Sequence, residues 1–68
     1  MLNPIESYTE AGEKTARAYV HGDAATAVFH KRWYSEARAM EMDADKDAAQ
    51  DAFLSAYRET SLGMRRIR

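Results

Sequence analysis

The sequence predicts an all-α fold, a small three-helix bundle or helical hairpin that self-associates, with helices over about 4–21, 24–42 and 46–62. Three observations predict it. Apolar residues recur at a 3.6-residue period in three successive segments. The one proline stands where a helix can begin, and two of the three glycines stand where helices can end. Thirteen alanines, the best helix formers, accompany only seven leucine, isoleucine and valine residues, so bulk must come from aromatic and methionine side chains.

The first helix begins at Asn3-Pro4-Ile5-Glu6, where an asparagine cap, a proline at the first position and a glutamate in capping-box spacing coincide. Its apolar stripe is Ile5, Tyr8, Gly12, Ala16, Tyr19 and Val20. Glu10 with Lys14 and Glu13 with Arg17 have the favourable i, i+4 order on the outer side. Gly22 stops this helix and Asp23 caps the next, so the two helices are antiparallel neighbours.

The second helix carries Ala25, Phe29, Trp33, Ala37 and Met40 as its inward arc, with Arg32 and Glu36 near that arc as a charged pair. The boundary that follows is the weakest. Asp43, Asp45 and Asp47 can each cap a third helix, but no glycine or proline lies between Glu41 and Asp51, so a fused rod is the alternative. The third helix buries Ala49, Ala52, Phe53, Ala56, Tyr57 and Thr60, leaves Leu54 outside, and stops at Gly63. Residues 1–63 then form one domain, and 64–68 a basic tail.

Sixty-eight residues give a small core, and the absence of cysteine removes disulfides as a support. Ten basic against eleven acidic residues leave a formal charge of -1, so nothing in the overall field attracts nucleic acid or an anionic membrane. No apolar run reaches the roughly 20 residues of a membrane span, and Met1 to Glu6 lacks a secretory layout; both point to the cytoplasm.

No catalytic, metal or cofactor site is expected. Asp43, Asp45, Asp47 and Asp51 mimic the start of a calcium loop, yet Ala48 stands where glycine is needed and Leu54 where a bidentate glutamate belongs. His21 and His30 alone cannot complete a zinc site, and His21 suits a helix C-terminus. Ser7, Ser35, Ser55 and Ser61 sit in no nucleophile context.

Binding is the remaining reading. Lys31, Tyr34 and Arg38 share the face of the second helix opposite Phe29 and Trp33, and with Leu54, Arg65 and Arg66 they form the expected partner-binding set. The partner is expected to be a protein; nucleic acid, contacted through the same cations, is the second choice, and a structural oligomer subunit the third. Gly12 with Ala16 forms a notch for close backbone approach, either by another helix of the same chain or by a second copy in a homo-oligomer.

Asn3-Pro4, Ala11-Gly12 with Ala16, and Trp33-Tyr34 together resemble the short helical accessory proteins carried by bacteriophages and plasmids, over about the first forty residues. That resemblance implies stoichiometric blocking of a host protein or complex in the cytoplasm of a bacterial host, including counter-defence inhibition.

Overall fold

In the computed structural model the described backbone covers residues 4–66, with the side chains of residues 5–64. Three helices, α1 (Pro4–Val20), α2 (Ala24–Ala39) and α3 (Asp43–Arg66), run up, down and up, with no strand among the described residues. Asn3, the expected cap of α1, lies outside them, as do the side chains of Arg65 and Arg66 and the last two residues.

The α1–α2 connection follows from Gly22. At φ +78° this residue holds the left-handed conformation that closes a helix, and two reverse hydrogen bonds complete the Schellman pattern. Gly22 N donates to Tyr19 O at 3.1 Å and Asp23 N to Ala18 O at 2.8 Å. Asp23 then caps α2, its carboxylate accepting from Thr26 N at 3.1 Å and Thr26 Oγ1 at 2.6 Å. These two bonds hold the Asp23 carboxyl below its ordinary pKa.

The second connection has no such local signal, and its expected boundaries shift. α2 ends at Ala39 rather than at 42, and α3 starts at Asp43 rather than at 46. Met42, not an aspartate, takes the cap position, its carbonyl accepting from Asp45 N at 2.8 Å and Lys46 N at 3.0 Å. Asp43 and Asp45 sit instead in the first turn, where the helix dipole favours acids. The fused rod is excluded because tertiary bonds fold the chain back at this point. Tyr8 Oη donates to Glu41 Oε2 at 2.7 Å, and Arg38 donates to Lys46 O at 3.3 Å and Gln50 Oε1 at 3.0 Å.

Gly63 does not stop α3, which continues to Arg66 with Gly63 in helical backbone, so residues 64–66 extend the helix rather than start a tail. A Cβ at Gly63 would meet nothing within 4 Å. Gly63→Ala is therefore expected to raise stability by about 0.4–1 kcal/mol, read from urea unfolding, through reduced unfolded-state freedom and better helix propensity.

α1 is the central helix, packed against both neighbours, and its buried arc is correspondingly broad: Tyr8, Ala11, Gly12, Thr15, Ala16 and Ala18. Of its expected stripe, Ile5, Tyr19 and Val20 lie at the edges and stay partly exposed, by 42–45%. Buried Thr15 satisfies its hydroxyl by donating to Ala11 O at 2.7 Å. Alanines 27, 49 and 56 bring the outer helices close to this one. From α3, Ala49, Phe53 and Ala56 are buried, Ala52, Tyr57 and Thr60 are half-buried, and Leu54 lies outside, all as the periodicity predicts.

Ring-to-ring contacts run through this alanine-lined interior. Trp33 lies 5.8 Å from Tyr8, Tyr8 lies 6.0 Å from Tyr34, Tyr34 stacks on Phe53 at 3.9 Å, and Phe53, Tyr57 and Tyr19 follow at 6.3 and 6.4 Å. Six of the seven aromatic side chains thus form one continuous string, which supplies the bulk that aliphatic residues do not.

This string corrects the expected orientation of α2. The inward face is Ala27, His30, Tyr34, Ala37 and Arg38, while Ala25, Phe29, Trp33 and Met40 are exposed. The helix is turned by about 100°, one residue's rotation, from the arc that Phe29 and Trp33 suggested. The reason is the small volume of Ala27, fully buried against the bundle, together with the Tyr34–Phe53 stack. Arg32 and Glu36 consequently point to solvent and form no ion pair with each other; among the described residues the ion pairs are Lys14–Glu10 and Lys46–Asp43, and Glu13–Arg17 does not form.

Candidate interaction surfaces

The residues singled out from the sequence are dispersed by this rotation. Tyr34 is half-buried on Phe53, and Arg38 spends its guanidinium on Lys46 O and Gln50 Oε1. The expected patch of Lys31, Tyr34 and Arg38 therefore does not exist as an exposed aromatic between two free cations. Lys31 and Leu54 do come together, facing each other across the α2–α3 seam. Arg65 and Arg66 contribute no described side chain.

The Gly12–Ala16 notch is filled by the same chain. A Cβ on Gly12 would collide with the Phe53 carbonyl oxygen and stand 3.1 Å from Ala56 Cβ, and Ala16 is fully buried. The self-association role of these two residues is thereby corrected: the backbone that approaches them is α3.

Two surfaces replace the expected ones. The first is a groove between α2 and α3. The seam is tied shut at the Arg38 end and opens toward Lys31 and Leu54. There a hollow of about 170 Å³ is lined by Thr15, Tyr19, Lys31, Phe53, Leu54 and Tyr57, and it adjoins a shallower hollow with Arg58, Ser61 and Leu62. Among the described residues neither Lys31 nor Arg58 is in an ion pair. The second surface is the outer side of α2, where Phe29 is 66% and Met40 88% exposed beside Val28 and Trp33. Sequence periodicity missed it, because α2 carries apolar residues around most of its circumference and the wrong arc was placed inward.

Glu10 and His30 flank a hollow of about 250 Å³ with Lys14, Phe29 and Trp33. Glu10 is ion-paired to Lys14 at 2.8 Å, and that hydrogen bond and charge, helped by His30, lower its pKa. A carboxylate held ionised by its own helix neighbour is a surface pair and not a tuned base. His21 is exposed in the first turn. Among the described residues no cluster of three or more histidine, aspartate or glutamate side chains could hold a metal, and no described helix is long and apolar enough to cross a membrane.

Among the described residues Tyr8 is the strongly perturbed group. Burial first, and then its hydrogen bond to the Glu41 carboxylate, push its pKa from 10.0 to about 12. Its neutral form is thus favoured by folding, so this contribution is complete below about pH 10 and disappears as pH rises toward 12. The urea midpoint is expected to fall across that window, and to fall less steeply in Tyr8→Phe, which has no proton to lose and no phenolate to set against Glu41.

The chain matches no protein-family model, no curated protein and no solved structure.

Proposed function

We propose that this protein acts without chemistry of its own, by stoichiometric binding of another protein in the groove between α2 and α3. The observation that carries this reading is the hollow between the two helices, where Leu54, 44% exposed, stands beside two tyrosine rings with unpaired Lys31 on the opposite wall. A hollow walled by aromatic and aliphatic side chains, with Lys31 on one wall and Arg58 in the adjoining hollow, suits an apolar side chain flanked by carboxylates. Tyrosine and arginine are also the residue types that dominate interface energetics. The resemblance of the first forty residues to phage and plasmid accessory proteins supports a host protein or complex as the target, blocked by occupation of its surface.

The test is capture from a nuclease-treated bacterial lysate, followed by calorimetry with the purified captured protein. Leu54→Glu and Lys31→Glu are expected to weaken that complex at least about tenfold each, with helicity unchanged, because both side chains are exposed in the free protein. A complex indifferent to both changes, or one that disappears with nuclease, contradicts this reading.

A further inference from the structure

We infer that the outer side of α2 is the docking surface for a second copy of this chain, paired antiparallel about a two-fold axis at the level of Tyr34. This surface is distinct from the α2–α3 groove. Its chemistry is unusual for a solvated helix face. Phe29, Trp33 and Met40 run along one edge, Val28 and Ala39 along the other, and Arg32 and Glu36 lie between them, all exposed.

Helix geometry makes this face complementary to itself. When two copies of a helix cross antiparallel about a two-fold axis, residues whose numbers are equally far above and below the axis stand at one height, and each contact occurs twice. With Tyr34 at the centre, Arg32 faces the partner's Glu36, and Glu36 faces the partner's Arg32. At a rise of about 1.5 Å per residue, Phe29 falls within about 1.5 Å in height of the partner's Met40, on the same edge. Trp33 lies beside the partner's Trp33 across the axis, offset by about 3 Å along it. On the other edge Val28 meets the partner's Ala39, a large residue against a small one.

The charges give this register its specificity. Within one copy, an arginine four residues before a glutamate has the less favourable order for a helical pair, and Arg32 and Glu36 do not bond to each other in the fold. Both are therefore available, and the antiparallel arrangement satisfies them reciprocally at the middle of the contact, where an unpaired charge would be costly. A parallel pairing would oppose like charges instead. The Gly12–Ala16 notch is closed by α3, so a dimer through α2 requires no rearrangement of the bundle.

A contact one helix wide is small for a protein interface, so its dissociation constant is expected in the micromolar range. Sedimentation equilibrium from about 1 µM to about 1 mM covers that range, and the emission of Trp33, the only tryptophan, should shift to the blue over the same concentrations. Arg32→Glu and Glu36→Arg are each expected to raise the dissociation constant at least about tenfold, and the double exchange to restore it. Phe29→Ser is expected to leave a folded monomer with helicity retained and stability within about 0.5 kcal/mol of wild type, since Phe29 is 66% exposed and its ring contact within the chain is with neighbouring His30. That monomer should still bind the groove's protein partner, which separates failure of this inference from failure of the proposed function. A wild-type chain that remains monomeric throughout, or a dimer that neither charge reversal weakens, overturns the inference, as does a dimer that the double exchange fails to restore.

Discussion

Gly12→Ala is expected to destabilise the protein, although alanine favours a helix by about 1 kcal/mol over glycine. The added Cβ has nowhere to go. It would collide with the Phe53 carbonyl oxygen and press on Ala56 Cβ at 3.1 Å. A carbonyl inside a helix cannot turn aside as a long side chain can, so α3 must move off α1, the helix at the centre of the fold. Overpacking of this kind costs about 1–3 kcal/mol and often more against backbone, which exceeds the propensity gain. Gly12→Leu adds three further carbons at the same point and is expected to abolish cooperative unfolding, because a domain this small has about 3–5 kcal/mol in hand. Urea titration followed by circular dichroism reads both changes. Gly63→Ala is the internal control, since it adds the same methyl group to an open site. If both alanine variants were stabilised alike, the close approach of α1 and α3 at Gly12 would be refuted.

Phe53→Ala is expected to be comparably severe. Phe53 is buried at the middle of the aromatic string, stacked on Tyr34 at 3.9 Å and followed by Tyr57 at 6.3 Å. Removing such a ring costs about 3–5 kcal/mol through lost transfer energy and the cavity left behind, enough to unfold much of the population at 25 °C. Phe29→Ala is the same chemical change on a side chain left mainly in solvent, and its effect on the monomer is expected to stay within about 0.5 kcal/mol. The small effect at Phe29, set against the large one at Phe53 of α3, reports that α2 turns Phe29 away from the core.

How much of this was legible in the sequence varies with whether the cause is local. Gly22 and Asp23 fixed the first turn because their signals, a left-handed glycine and a side-chain cap, act within a few residues. The inward residues of α3 were readable because Ala49, Ala52, Phe53, Ala56, Tyr57 and Thr60 recur on one side, with Leu54 off that stripe. The neighbourhood of the second break was readable from the aspartates at 43, 45 and 47, but its position after Ala39 was not: it is fixed by Tyr8 on Glu41, 33 residues away, and by Arg38 on Lys46 and Gln50 of α3, eight and twelve residues away. Gly63 misled because a glycine ends a helix only when the chain turns there, and here the helix continues.

The candidate site was the least legible part, because it depends on the rotation of α2. Its apolar residues occupy two arcs, and periodicity favoured the one with the larger side chains. Packing favoured the other, where Ala27 permits close approach and Tyr34 can lie flat on Phe53. Of the residues expected to bind a partner, Lys31 and Leu54 survive together in the groove, whereas Tyr34 and Arg38 became structural. Phe29, Trp33 and Met40 moved from expected core to surface by the same rotation.

Both surfaces, the groove and the outer face of α2, exist only if α2 turns Tyr34 inward and Phe29 outward. Nuclear Overhauser contacts between aromatic rings measure that directly in solution. Strong cross-peaks between the rings of Tyr34 and Phe53, with none between Phe29 and Phe53, are the expected result. Cross-peaks from Phe29 to Phe53, with Tyr34 lacking contacts to α3, would contradict it.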